Sequence, residues 1–451
     1  MNYSPQLLIE KLNAGLQELA TSRRFLIGLS GGLDSVVLLH SMAQLRDQSN
    51  PDMRLRAVHV NHQLHPAASS WAQHCEAFCK GLGIEFITSE VSIPDKSGIE
   101  NAAREARYRA FEDSLFEGEE LLLAHHRDDQ METLLLRLTR GAGSRGLSGI
   151  PRSRALGRGR LLRPLLEIDR DELRRYAEAV ELDWVEDASN GDERFDRNYC
   201  RHSLLPLIEE RWPRYRESWS KTIALAGESE LLIQELAAID LQAIATETQS
   251  VLHRQKLLAL SEPRRRNVLR YCLGRLGAPE LGWNQLQQLS KEVLVTDSGS
   301  FIGSGFEVHC FRDGVYILDA TALGQAQNTD SAARTLELPL AEVVSLKNNG
   351  SLSFRSTRGE GLAAANLGSL SVRYRQGGES CKLLGRPSKT LKKILQEVET
   401  PPWLRGRYPL LFSGKDLACI PGVGVCEEFA AQAGDLAYLV NWCQPDLRLG
   451  G

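Results

Sequence analysis

The first 140 residues alternate short apolar runs with amphipathic stretches of helical period, and this alternation constrains the fold most. FLIGL (25–29), LRAVHVN (55–61), IEFITSEV (84–91) and ELLLAHH (120–126) read as strands. Residues 4–20, 36–45, 69–82, 100–116 and a stretch opening at 128 read as helices. Strands alternating with helices at this spacing predict an α/β fold with a doubly wound parallel sheet. Ligands of such sheets bind beyond the carboxyl ends of the strands. SGGLDS (30–35), HVNH (59–62) and HHRDDQMET (125–133) all fall at those ends, so three separate segments are expected to line one cleft.

The pattern weakens after Gly141. Residues 141–163 are rich in Gly and Arg and read as irregular loop; 216–247 reads as a long helix. At 451 residues the chain is long enough for two or three domains. We expect a catalytic domain over 1–215, a connecting helix over 216–247 and a small, mostly helical middle domain over 248–320. A linker region over 321–368 and a C-terminal α+β domain over 369–451 complete the division.

Charge and cysteine usage narrow the class. The 54 basic and 58 acidic residues nearly cancel, which excludes a uniformly basic nucleic-acid coat. The charge is nevertheless clustered. Residues 137–175 carry +7 and residues 372–407 carry +6, which leaves −17 on the rest of a chain whose net charge is −4. Such strips are the footprint of a phosphate backbone. No two of the nine cysteines form a C-x-x-C pair, so zinc-ribbon and dithiol chemistry lack their signal. No apolar run approaches the ~18 residues of a membrane span. The expectation is a cytoplasmic protein without a membrane partner, in a reducing compartment; a homodimer is possible.

In SGGLDS, two glycines let backbone approach an anion, and the following helix offers free N–H groups. Asp34 is the unusual element. A carboxylate beside a phosphate site makes sense if it holds Mg²⁺ bridging to the phosphates. The loop resembles the PP-loop of N-type ATP pyrophosphatases and has no Walker A pattern. Further segments narrow the resemblance: AVHVNHQL (57–64), ENAAREARY (100–108), AHHRDDQMETLLLRLTRGAGSRGLSGI (124–150), RPLL (163–166), DASNGDERFDRNYCRHSLLP (187–206) and 372–411. In this order and spacing the chain resembles the tRNA(Ile)-lysidine synthetase family over nearly its whole length. That resemblance implies ATP as cofactor with Mg²⁺, and free L-lysine and tRNA(Ile) with anticodon CAU as partners. It also implies adenylation of C2 oxygen of the wobble cytidine, then attack by the lysine ε-amine with release of AMP.

Candidate residues follow. Ser30, Gly31, Gly32, Leu33, Asp34 and Ser35 are expected to hold ATP, with His59, Asn61 and Arg107; His62 and the helix residues Arg104 and Tyr108 stand nearby. Asp129 and Glu132, three apart at a helix start and so on one face, are the expected lysine-binding acids and, with Asp34, the catalytic set. Asp128 suits a cap, and His125 and His126 suit contacts to phosphate or the reacting base. For tRNA the candidates are Arg140, Arg145, Arg197, Asn198 and Arg201 near the cleft, and Arg373, Arg375, Lys392 and Lys393 far from it. Trp403 and Tyr408 suit core packing better than base stacking, and the basic helix around 263–277 suits either RNA or interdomain packing. A sulfurtransferase would need a reactive Cys at the loop ends, and an amide-forming synthetase would leave the basic strips unexplained. A non-enzymatic tRNA-binding module would not need the intact SGGLDS and DDQMET acids.

Overall fold

The computed structural model describes residues 3–61, 68–91, 99–246, 251–320, 334–336, 342–347, 349–366 and 370–444. The chain divides into two compact units, Met1–Leu232 and Ile233–Gly451.

The first unit follows the predicted alternation: α1 (Pro5–Leu19), β1 (Arg24–Gly28), α2 (Leu33–Ser49), β2 (Arg54–Asn61), α3 (Ala68–Gly81), β3 (Glu85–Glu90), α4 (Ile99–Ser114), β4 (Glu120–Leu122) and α5 (Arg127–Thr139). The short α6 (Ser144–Leu147) precedes β5 (Ser153–Leu156), β6 (Gly159–Leu162) and α7 (Arg170–Ala179). Then come α8 (Asp196–Tyr199), a π-turn over Cys200–Leu204, α9 (Leu205–Arg211) and the long α10 (Tyr215–Ile244). The strand order is β3-β2-β1-β4-β6-β5. Strands β3 to β6 in that order run parallel, and β5 pairs antiparallel at the edge. Apolar side chains bury both faces. Leu26, Val58, Phe111, Leu121 and Leu161 pack on one side; Ile27, Ala57, Val37 and Tyr176 pack on the other. The order reverses between β1 and β4, which places a crevice between the loops that follow them.

Two expectations change here. Residues 141–163 are not irregular throughout, because Ser153–Leu162 is a hairpin that extends the sheet. Its turn uses Gly157 at φ +51, and Gly159 lies so close to the next strand that a Cβ would sit 2.4 Å from the Glu119 carbonyl. The strand expected at 120–126 ends at Leu122, because His126 already caps α5.

In the second unit, helices Arg254–Ala259, Glu262–Arg275 and Trp283–Gln288 pack on a four-stranded antiparallel sheet that includes Phe306–Phe311 and Gly314–Asp319. The remainder is α+β, with a five-stranded sheet around Leu370–Tyr374 and Pro409–Ser413. The region expected as linker is not all connector. Ser351–Arg358 pairs with Leu436–Cys443 over eight residues, and Leu352, Phe354 and Leu362 enter the core. Trp403 stacks on His309 at 4.6 Å and meets Tyr316 at 4.9 Å, so it serves packing. Tyr408 is buried with its hydroxyl on the Pro421 carbonyl. On helix Glu262–Arg275, Arg264 pairs with Asp240, Arg266 with Glu262, and Arg265 donates to the Leu258 carbonyl at 2.6 Å.

Candidate active site

The loop after β1 is built from its own hydroxyls. Ser35 Oγ accepts from the Ser30 amide at 3.1 Å, stands 3.0 Å from Ser30 Oγ and donates to the Gly32 carbonyl at 3.0 Å. The first bond within α2 runs from Val36 N–H to the Gly32 carbonyl. The amides of Leu33, Asp34 and Ser35 therefore lack intrahelical acceptors and carry the positive end of the helix dipole. The two glycines differ in kind. Gly31 has φ +87, and a Cβ on it would meet Cys75 Sγ at 3.1 Å. Its carbonyl accepts from Val185 N–H at 2.9 Å, which fastens the loop to the segment before α8. Gly32 has an ordinary φ of −75, and a Cβ there would find only Ser30 Oγ at 3.5 Å and the Val185 carbonyl at 3.9 Å. Packing within the chain does not demand glycine at 32, and the bare backbone there leaves room for close approach of an anion.

Asp34 projects from the first turn of α2 toward α5. His126 Nε2 stands 3.6 Å from Asp34 Oδ2 and 3.6 Å from Asp129 Oδ2, and its Nδ1 lies 3.8 Å from Asp128 Oδ2. The imidazole is 1% exposed and sits among three carboxylates. Burial opposes its charge, but Asp129, Asp34 and Asp128 outweigh burial and raise its pKa above the ordinary value. His126 thus links the first loop to the second across adjacent strands.

Asp129 and Glu132 lie on one face of α5, as their spacing requires, and both are buried. Asp129 Oδ2 accepts the His126 N–H at 2.9 Å and caps the helix. Its Oδ1 receives Arg197 Nη2 at 2.8 Å, with Arg201 Nη2 at 3.6 Å. Glu132 is fully buried; Arg197 Nε reaches its Oε2 and Arg201 Nε its Oε1, each at 2.6 Å. Burial would push the Asp129 carboxyl up, but His126, Arg197 and His125 together hold it down at about 2. Asp128 plays a different part. It accepts the Arg170 amide at 3.0 Å and Arg216 Nε at 2.8 Å, which tie α5 to α7 and α10.

His125 behaves oppositely to its neighbour. Burial comes first, Arg163, Arg197 and Arg107 add to it while Asp129 opposes, and the imidazole is pushed down to about 3. Its Nδ1 accepts Arg163 Nε at 3.2 Å, so the neutral ring carries its proton on Nε2. Arg163, 3% exposed, also donates to the Pro151 carbonyl at 2.8 Å and to Tyr108 Oη at 3.4 Å.

The remaining candidates are scattered. His59 is buried with Nδ1 2.9 Å from the Leu29 carbonyl, a bond that steadies the first loop from below. Asn61 is buried at the end of β2, and His62 lies outside the described residues. Arg107 stands on α4 within electrostatic range of His125 and Arg197. Arg197 and Arg201 face the acids of α5 rather than solvent. Asn198 donates to the Asp192 carbonyl at 3.0 Å. Arg140 pairs with Asp196 on the surface, and Arg145 is exposed. In the second unit, Lys392 and Lys393 are exposed on helix Leu391–Glu397. Arg373 donates to the Gly414 carbonyl and lies over Phe412, and Arg375 stands 3.9 Å from Glu379. Sequence reasoning missed Arg170, whose Nε is 3.6 Å from Asp34 Oδ1. It also missed the part played by Arg163; its only signal was the RPLL segment.

A glycine-bearing loop that opens a helix at the switch point of such a sheet suits a nucleotide-binding domain, and a PP-loop domain model matches residues 6–208. The TilS substrate binding domain matches 252–316 and the TilS substrate C-terminal domain 370–442. The tRNA(Ile)-lysidine synthase of Coxiella burnetii is 39% identical over 439 residues, 96% of each chain. The protein of that name from Yersinia pestis is 39% identical over 99% of this chain and 98% of its own. That from Pseudomonas aeruginosa is 42% identical over 90% and 93%. The chain belongs to the tRNA(Ile)-lysidine synthase family, whose members are ligases.

Proposed function

We propose that the enzyme uses ATP to join free L-lysine to C2 of the wobble cytidine of a tRNA(Ile) with anticodon CAU. The observation that carries this reading is the join between the two loops: His126 lies 3.6 Å from both Asp34 and Asp129. An anion cradle and a cation-binding pair of acids therefore share one chamber. The free amides at the start of α2 receive the phosphates, and Gly32 admits them. Oxygen O2 of the cytidine attacks the α-phosphorus and pyrophosphate leaves. The lysine ε-ammonium is bound by Asp129 and Glu132, gives up one proton to solvent and attacks C2, and a second proton leaves the nitrogen as the C2–N bond forms. The C2–O bond breaks and AMP departs. His125, neutral with a proton on Nε2, donates to the anionic oxygen in the chamber. The new cytidine pairs with A instead of G, which moves decoding from AUG to AUA.

Mg²⁺ fits this site. Asp34 Oδ1 is buried without a hydrogen-bond partner, and Arg170 Nε at 3.6 Å is too far to supply one. An orphaned carboxylate oxygen beside a phosphate cradle suits a magnesium ligand, and the ion would neutralise phosphate charge there. The test is incubation with ATP, Mg²⁺, labelled lysine and CAU-anticodon transcript. Label enters RNA only when ATP is present; an unlabelled RNA, or labelling of a transcript with uridine at the wobble position, refutes the proposal.

A further inference from the structure

Many arginines of the first unit are spent on carboxylates: Arg127 on Asp169, Arg152 on Glu18, Arg160 on Glu120, Arg216 on Asp128. One cluster departs from this. A cleft of about 510 Å³ is lined by Arg104, Glu105, Tyr108, Arg109 and Arg154. Arg104, Arg109 and Arg154 are all exposed, and among the described residues none of the three pairs with a carboxylate. Their charges converge all the same. Arg154 lies over the Tyr108 ring at 4.6 Å and Arg104 at 5.5 Å. The lining holds three arginines and one acid, Glu105, so the cleft carries a net positive charge that attracts an anion.

Position supplies the second argument. Arg154 sits at the start of β5, opposite Leu161 near the carboxyl end of β6, and the hydroxyl of Tyr108, just past the middle of α4, reaches Arg163 beyond that end. Tyr108 Oη accepts Arg163, and Arg163 holds His125. The cleft is therefore two side chains from the chamber, on its flank, and joined to it by a continuous polar chain.

We propose that this cleft binds an RNA phosphodiester flanking the reacting cytidine, with Arg154 and Arg109 as its principal contacts. Guanidinium forks match phosphate oxygens in pairs. Tyr108 orders Arg154 by covering one face, so less side-chain freedom is lost when the phosphate arrives. The phosphates of ATP do not require this site, since the free amides of α2 already serve them. The inference rests on the tRNA reading of the chain, but its test does not require catalysis.

The experiment uses the full chain with Arg154→Gln, Arg109→Gln and both together. Binding of the CAU-anticodon transcript is followed by fluorescence anisotropy across a salt series, without ATP or lysine. Direct ATP binding and competition by inorganic pyrophosphate are measured beside it. These side chains are exposed, so the variants should fold; Arg154→Lys, which keeps the charge and loses the fork, provides the graded control. The expected result is a Kd for tRNA raised roughly tenfold in the double variant, with the salt slope reduced by about 0.7–1 per arginine removed. ATP affinity is unchanged and pyrophosphate does not displace the transcript. Wild-type tRNA affinity and slope in the double variant overturn the proposal, as does a loss of ATP affinity with tRNA binding intact. A wild-type chain that binds tRNA yet forms no lysidine would sink the functional reading and leave the cleft standing.

Discussion

Glu132→Gln probes the buried centre of the site with nearly no change in shape. Glu132 receives two guanidinium Nε–H donors at 2.6 Å, one on each oxygen. Glutamine keeps one acceptor and turns the other position into a donor, so one arginine faces N–H against N–H. The negative charge is also gone, which leaves Asp129 alone to balance Arg197 and Arg201. Removing one partner of a buried pair typically costs 3–5 kcal/mol; because both arginines retain some solvent contact, we take the lower end, about 3 kcal/mol. For a unit of this size, each kcal/mol moves Tm by roughly 2–4 °C, so the first-unit transition should fall by about 6–12 °C. Differential scanning calorimetry on the full chain reads this. Adding Arg197→Gln should recover part of the loss, because the unpaired donor disappears with it; the double-mutant cycle then gives a coupling above about 1 kcal/mol. A shift within about 1 °C for Glu132→Gln would refute the claim that this pairing holds the site together.

Three more outcomes follow from the same geometry. Gly31→Ala should destabilise the first unit by about 1–2 kcal/mol, since φ +87 and Cys75 oppose a Cβ. Gly32→Ala should leave Tm nearly unchanged while weakening ATP binding about tenfold or more; calorimetry paired with nucleotide titration separates the two, and equal effects would contradict the distinction. In an NMR titration His126 should hold its proton above the ordinary histidine pKa, whereas His125 should stay neutral down to about 3. The signs for stability are opposite. The unfolded chain takes up a proton at position 125 below its ordinary pKa and the native chain does not, so stability falls with pH from there toward 3, by at most about 1.4 kcal/mol per unit. The contribution of His126 is present below that ordinary pKa and is lost as pH rises through its raised value. His125→Asn should therefore flatten the acid limb of a denaturation series, and an unchanged limb would contradict the assignment.

The sheet and the place of the site were legible because their signals are local. Apolar runs such as FLIGL mark buried strands by period and length, and SGGLDS and DDQMET mark their ends within a few residues. What stayed hidden depends on distant partners or on weak local patterns. The hairpin Ser153–Leu162 reads as loop because its strands, SRAL and GRLL, are only four residues each and flank a turn rich in Gly and Arg; only pairing with β4 makes it sheet. Ser351–Arg358 finds its partner some 80 residues on, and its own alternation is too weak to announce a strand. Arg197 and Arg201 look like RNA contacts in sequence; only the fold brings them onto acids 65 to 69 residues away. The opposite charge states of His125 and His126 are equally invisible in an HH pair, since each is set by groups from other elements.

The central claim is that ATP activates the nucleic acid and that lysine arrives second. Incubation with ATP labelled at the α-phosphate, Mg²⁺ and CAU-anticodon tRNA, without lysine, tests it most directly. The account predicts label on the RNA, chased into free AMP when lysine is added. Label on lysine in the absence of tRNA, with none on RNA, would contradict it.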